Sequence, residues 1–472
     1  MKEKKIFDAI TNIEDELVEE AAAYKFKKKM KWKNIITIAA CAAIIISAAL
    51  ILPKTGNNIA DNSNEVQLQS SSTPKPTNVN LTSPLSKVHA PTSTNFLDNP
   101  VDEQFYTSLE DFSAKTTAQL AKSTEGNMVF SPLSLYYALA ITATGAEGET
   151  ADEMLELLGV SDKEYLSQQS HNLYNILYAD DITKEFKISN SIWLDYNYNL
   201  KESFAQNTAD KFYAEVYHAD YNSKETADTM SKWVYENTGG LIKPEFEFSG
   251  NEVLSIFNTV YLRDEWQYDF DEKLTKLDKF HLKDGSEIDV DFMNKKSIQS
   301  YVVGDNYISA DMLMKDGFYM RFILPDEGIN PRDFLSSPEK LKELLWYNPE
   351  EYYNQGKLLS GEVTWKVPKF DIYSKMDLKD TLLSLGMEKA FSDADFSGIT
   401  DSDVSIGDIK QETRIKVHEK GVEAAAFTRE ILCGGAPVEL INTEIILDRP
   451  FIFAIRKTDE VSFIGICENP LK

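Results

Sequence analysis

The chain has 472 residues, enough by length for two or three domains, and its 42% hydrophobic content can supply a large core. A formal charge of −27 and a pI near 4.7 exclude nucleic acid as a natural partner and disfavour adhesion of the main domain to anionic lipid. Three cysteines, Cys41, Cys433 and Cys467, cannot all pair, so no disulfide framework is implied.

Residues 1–34 form a charged tail, with helical spacing in Ile6, Ile10, Ile13 and Leu17 and a basic cluster at Lys25, Lys27, Lys28, Lys29, Lys31 and Lys33. Residues 35–52 then run without a charge, and eighteen helical residues rise about 27 Å, close to the thickness of a bilayer core. The basic flank predicts a single-pass transmembrane helix with the tail in the cytoplasm and everything after Pro53 outside the cell. A cleaved signal peptide is the alternative, although more than thirty residues precede the apolar run. Residues 53–100 are rich in Ser, Thr, Asn and Pro and hold too few apolar side chains for a core, so they are expected to be a linker. As a coil it would span roughly 40 Å.

Residues 101–472 read as one domain without internal repeats. Val129–Thr142 has a helical pattern whose start is marked by Ser131 and Pro132. Ile188–Leu194 reads as a strand, Phe204–Val216 as a helix, and Thr226–Thr238 as a helix stopped by Gly239-Gly240. Leu254–Leu262 is a buried strand, Leu313–Leu324 holds strand material ending in a turn, and Leu378–Gly386 is a short amphipathic helix. Ile415 and Val417 alternate with charges, and Ile445–Leu447 and Phe451–Ile455 look like buried strands, with Cys467 a core thiol in a last one. Helices and strands mix without regular βαβ alternation, so the class is α+β.

Between those late strands lies Glu419–Thr428, then the Cys433-Gly434-Gly435-Ala436-Pro437 run, which holds regular structure poorly. On composition alone a short surface helix suits Glu419–Thr428, because Ala is the best helix former. The wider pattern argues otherwise. Glu419, Gly421 and Glu423-Ala424-Ala425-Ala426 resemble the hinge of a serpin reactive loop. Arg449-Pro450-Phe451-Ile452-Phe453, Phe463-Ile464-Gly465 and Asn469-Pro470 resemble that family's C-terminal strands. Asn127–Ser134, Gly145-Ala146-x-Gly148-x-Thr150, Asn258–Leu262 with Trp266 and Phe270, Val367-Pro368-Lys369-Phe370, and Ala394–Ile399 match further blocks in the family's order. Any one block is weak, and together they are specific.

The resemblance implies a serpin fold: a large central mixed sheet, two smaller sheets and about eight or nine helices, here preceded by a transmembrane helix in a membrane-anchored, bacterial-type member. It also implies a suicide-substrate inhibitor of serine proteases. The protease cuts the loop, is held as an acyl-enzyme, and is trapped as the hinge inserts into the central sheet. The loop would run over about residues 419–448. The hinge chemistry suits insertion. Alternation puts Val422, Ala424, Ala426 and Thr428 on one face, none of them charged, and Glu423, Ala425, Phe427 and Arg429 on the other. The family's count of fifteen from Gly421 implies cleavage at Gly435–Ala436, with Leu432, Cys433 and Gly434 as neighbouring alternatives. No basic residue lies from Ile431 to Val438, which points to elastase-like or subtilisin-like proteases and away from trypsin. Val422 stands where the family usually has Thr or Ser, and Gln411 where many members have His. Gln bonds in both directions, so Gln411 is expected to hold a sheet-opening gate with Ser131, Ser134, Asn258 and Trp266.

No enzyme constellation competes. The chain has no Gly-x-Ser-x-Gly elbow, no His-Glu-x-x-His and no phosphate loop, and its five histidines are scattered. Neither cofactor nor metal is expected, and the protein should act as a monomer whose partners are proteases and a membrane. Within the same fold, a non-inhibitory surface binding module is the alternative, and the hinge discriminates: charged, bulky or Pro-rich hinges block insertion.

Overall fold

The computed structural model describes residues 100–180, 185–248, 252–422 and 440–472. All of them belong to the unit Pro76–Lys472. The expected span 35–52, most of the linker, hinge residues Glu423–Ala426 and the Leu432–Ala436 stretch lie outside the described residues. Among the described residues no helix is long and apolar enough to cross a membrane.

Among the described residues sixteen strands occur, in the order β1 (Met128–Phe130), β2 (Ala179–Asp180), β3 (Glu185–Asp195), β4 (Ala214–Ala219), β5 (Leu254–Glu265), β6 (Lys276–His281), β7 (Glu287–Gly304) and β8 (Tyr307–Leu313). There follow β9 (Tyr319–Pro325), β10 (Leu358–Pro368), β11 (Phe370–Asp377), β12 (Lys410–Val417), β13 (Gly421–Val422), β14 (Thr443–Ile446), β15 (Phe451–Arg456) and β16 (Val461–Cys467). Ten α-helices accompany them among the described residues, three of only five or six residues. The described strands form a nine-stranded sheet (β1-β16-β15-β9-β8-β7-β10-β14, with β6 on β7), a five-stranded sheet (β13-β5-β3-β2, with β4 on β3) and the β11–β12 pair. β3/β4 and β10/β14 are parallel and the other pairs antiparallel, so the α+β class with mixed sheets holds.

Several boundaries differ from the sequence reading. Val129–Thr142 is two elements. Met128–Phe130 pairs with β16, and helix α1 (Pro132–Thr144) starts where Ser131 caps it, its hydroxyl accepting from the Ser134 N–H at 3.2 Å. Eleven of the thirteen α1 residues are buried, because Pro-Leu-Ser-Leu-Tyr-Tyr-Ala-Leu is apolar around its whole circumference. The Phe204–Val216 helix stops at Phe212, since Tyr213 turns left-handed (φ 52°) and Ala214–Ala219 pairs with β3. Leu313–Leu324 is a hairpin between β8 and β9 whose turn contains Gly317 at φ 84°. The helix in Leu378–Gly386 is limited to Lys379–Ser384.

Two distant motifs turn out to be one packing unit. A Cβ on Gly398 would lie 2.6 Å from the Gly145 carbonyl oxygen, and one on Gly145 would lie 2.2 Å from Ile399 Cγ1. Glu147 N–H donates to the Asp395 carbonyl at 2.8 Å, and Asp395 N–H to Thr150 Oγ1 at 2.9 Å. Only glycine allows so close an approach of backbones.

Candidate functional site

The segment that resembles a hinge begins in a two-residue hairpin. β12 ends at Val417, and the chain reverses through Glu419 and Lys420 so that His418 and Gly421 exchange backbone hydrogen bonds at 3.1 and 3.2 Å. Gly421 and Val422 then pair antiparallel with Glu265 and Asp264 of β5. Residue 421 is thus bridged on both sides, to the end of β12 and to the end of β5. Gly421–Val422 is strand, and from Glu423 onward the stretch for which composition allowed a short surface helix lies outside the described residues. Among the described residues β5 and β12 do not pair with each other, so the large central sheet of expectation is divided at this point, and the hinge start is its only described bridge.

Gly421 is required at this position. Its φ is +142°, and a Cβ there would lie 2.5 Å from the Asp264 carbonyl oxygen, 2.6 Å from Glu265 Cα and 2.9 Å from Trp266 N. Trp266 grips the turn: its N–H donates to the Lys420 carbonyl at 3.1 Å and its indole Nε1 to the His418 carbonyl at 3.0 Å, while Phe270 N–H donates to the Glu419 carbonyl at 2.9 Å. Lys295 Nζ lies 4.4 Å from the Phe270 ring centre and 5.8 Å from that of Trp266, and burial pushes its amine down to about 8.

Glu419 fixes the turn from the side. Its carboxylate accepts from Thr275 Oγ1 at 2.9 Å and lies 3.1 Å from Lys369 Nζ. Burial pushes this carboxyl up, but its own backbone N–H, Thr275 and Lys369 outweigh burial and hold it below the usual range. The grip is therefore fully present above the ordinary carboxylate value and is lost as pH falls through the lower one.

The gate residues fall into three groups. Gln411 on β12 clamps the start of α1: Ser131 N–H donates to Gln411 Oε1 at 2.8 Å, and Gln411 Nε2 donates back to the Ser131 carbonyl at 3.0 Å. Ser131 Oγ donates to the Ser462 carbonyl at 2.7 Å, and Thr413 Oγ1 to Gln411 Oε1 at 3.0 Å. Asn258 does not join them. It sits on β5, donates to Asn190 Oδ1 at 2.7 Å, and its own buried Oδ1 has no partner among the described residues. Trp266, grouped with the gate from sequence, belongs instead to the hinge root. Division of the sheet explains the separation, because Asn258 lies on β5 and Trp266 directly follows it, while Gln411 lies on β12.

With this geometry in view, comparison with known proteins is decisive. The sequence model of the family described as Serpin (serine protease inhibitor) matches residues 107–470. The chain belongs to the serpin family. Serpin-Z2A of Triticum aestivum is 32% identical over 384 residues, which cover 76% of this chain and 94% of the wheat protein. An uncharacterized serpin-like protein of Methanosarcina acetivorans is 30% identical over 370 residues, 74% of this chain and 83% of the archaeal one. The crystal structure of the thermophilic serpin tengpin in its native state superposes with a TM-score of 0.68 at 28% identity, covering 81% of this chain and 97% of tengpin. These relatives carry no support for a bacterial-type assignment.

Serpins are mostly non-catalytic inhibitors that form complexes with target proteases, so the absence of an enzyme constellation in the sequence agrees with the family. Sequence reasoning missed three contributors to this serpin's hinge seat, and Asn190 as the partner of Asn258. Lys369 lay inside the Val-Pro-Lys-Phe match, yet nothing in the motif names Glu419 as its partner. Thr275, Asn190 and Asp264 carry no sequence signal, because only the strand register brings them to the site.

Proposed function

We propose that this serpin inhibits serine proteases of elastase-like or subtilisin-like specificity as a suicide substrate, with cleavage at Gly435–Ala436 or, next in order, at Leu432, Cys433 or Gly434. The observation that carries the reading is the antiparallel pairing of Gly421–Val422 with β5, at the end of β12. A strand beginning there has a place to continue. In the same register Ala424 would face Leu262, Ala426 would face Val260, and Thr428 would face Asn258, whose buried Oδ1 lacks a partner among the described residues. A hydroxyl arriving there would satisfy it. Gln411, Ser131 and Ser134 would then act as the hold on the β12 side of the opening, and Asn258 with Asn190 as the hold on the β5 side.

Incubation with elastase, subtilisin and trypsin, followed by mass spectrometry of the loop, tests the reading. SDS-stable complexes with the first two and a cut near Gly435 are expected. Stoichiometric trapping of trypsin with cleavage after Arg429 would overturn both the bond and the specificity, because too little strand would remain to insert.

The same proposal has the serpin domain outside the cell, anchored by residues 35–52 and held off the membrane by residues 53–100. The charge-free run and its basic flank support that arrangement. Full-length protein is expected in the membrane fraction, released by external protease as a folded inhibitor. A secreted form beginning near residue 53, with no membrane-bound pool, would identify the run as a signal peptide.

A further inference from the structure

Val422 and Asp264 are register partners, and both are buried: Val422 is 4% exposed and Asp264 1%. Directly opposed residues of an antiparallel pair share a face, with Cβ atoms about 4.5–5.5 Å apart. The hinge therefore lays an apolar side chain beside a carboxyl. Asp264 accepts backbone hydrogen bonds from Glu265 at 2.8 Å and Asp316 at 3.0 Å. The cations nearby are committed elsewhere. Lys457 lies 3.2 Å from the Asp316 carboxylate, and Lys315 pairs with Glu265. Among the described residues no ion pair reaches Asp264. Burial pushes its carboxyl up to about 6; the two backbone N–H groups and Lys457 only partly offset burial and the Asp316 carboxylate.

We propose that seating of the hinge start on β5 is coupled to proton uptake by Asp264, which makes Asp264 a positioning residue that tightens the hinge in mild acid. This rests on the reading of Gly421–Val422 as the first residues of the inserting strand. When Val422 leaves, one side of the carboxyl opens to water and its affinity for a proton falls towards that of an ordinary aspartate. The seated state therefore binds the proton more tightly, and seating strengthens as pH falls through about 6. Glu419 acts in the opposite sense at lower pH, since its depressed carboxyl lets go only in stronger acid. Grip on the hinge should thus be greatest in a mildly acidic window and weaker on either side. Val422 sharpens the effect, because a Thr or Ser there would bring a hydroxyl donor for the charged form.

Hydrogen–deuterium exchange of the full chain between pH 4.5 and 8, followed on a fragment spanning Gly421 and Val422 and corrected for intrinsic exchange, tests the coupling. Protection is expected to rise by about tenfold from pH 7 to pH 5, the span that one proton allows between carboxyl values near 6 and 4. In Asp264→Asn it should be flat over that range. A flat parent, or a slope that survives in Asp264→Asn, overturns the inference. Val422→Thr gives a second arm should Asp264→Asn not fold: its rise should be smaller than the parent's, and an equal rise also overturns the inference. No protease enters these measurements, so failure of the inhibitor reading shows separately as a lack of SDS-stable complexes.

Discussion

Arginine in place of Ala424 or Ala426 is expected to turn the serpin from a trap into a substrate. Gly421 faces Glu265 and Val422 faces Asp264, so each residue forward on the hinge is one residue back on β5. Ala424 would then meet Leu262, itself buried, on the face where Val422 is already buried. A guanidinium forced into that face costs several kcal/mol unless it is paired. A penalty of about 3 kcal/mol on the inserting step slows it roughly a hundredfold, long enough for the acyl-enzyme to hydrolyse. The gel should show cleaved serpin and free protease in place of the complex. Arginine at Ala425 is the control, because that position alternates to the outer face with Glu423, and trapping should persist. Equal trapping by all three variants would mean that insertion does not follow this register.

Gly421→Ala is expected to unseat the hinge root. A single added carbon at this position meets two backbone atoms of β5 and the Trp266 nitrogen at 2.5–2.9 Å, and none of these is a flexible side-chain tip. The backbone angle of +142° adds strain of its own, of order 1–3 kcal/mol. Relief requires Gly421 to leave β5, which also strains the bonds from Trp266 to His418 and Lys420. Thermal unfolding should shift down by a few degrees, and Trp266 fluorescence should report a more solvated indole. Gly317→Ala isolates the backbone term, since its φ is +84° but nothing lies within 4 Å of the added carbon. If the two variants lose the same stability, close approach at Gly421 contributes nothing.

The hinge and the gate were legible in the sequence to different degrees. Glu419, Gly421 and the alanine run carry their chemistry in residue type: an acid to anchor the turn, a glycine for close approach, and small side chains for a crowded sheet. The two-way bonding of Gln411 was also readable, because an amide offers both a donor and an acceptor, and Ser131 uses both. Where Asn258 and Trp266 bond was not readable: Asn258 donates to Asn190, and Trp266 donates to the His418 and Lys420 carbonyls. A family resemblance names which residues matter without saying which strand edge each one faces in a sheet that divides.

Element boundaries failed where short-range pattern and tertiary pairing disagree. Phe204–Val216 is apolar at helical spacing throughout, yet Tyr213 breaks it because Ala214–Ala219 gains a parallel partner in β3. Val129 and Phe130 read as the start of the following helix for the same reason: the three buried residues Met128–Phe130 have no period, and only β16 makes them a strand.

By itself the sequence determined the α+β class, the helix whose start Ser131 and Pro132 mark, and the positions of the two contacting glycine motifs. Those properties follow from side-chain size, polarity and backbone freedom, which act locally. Tertiary structure alone decided that Glu419 is held by Lys369 and Thr275, that Asn258 bonds Asn190 on β3, and that Asp264 lies opposite Val422. Each of these depends on strand register, a long-range property set by how whole sheets pack, and a shift of one residue would have turned every such pair to the opposite face.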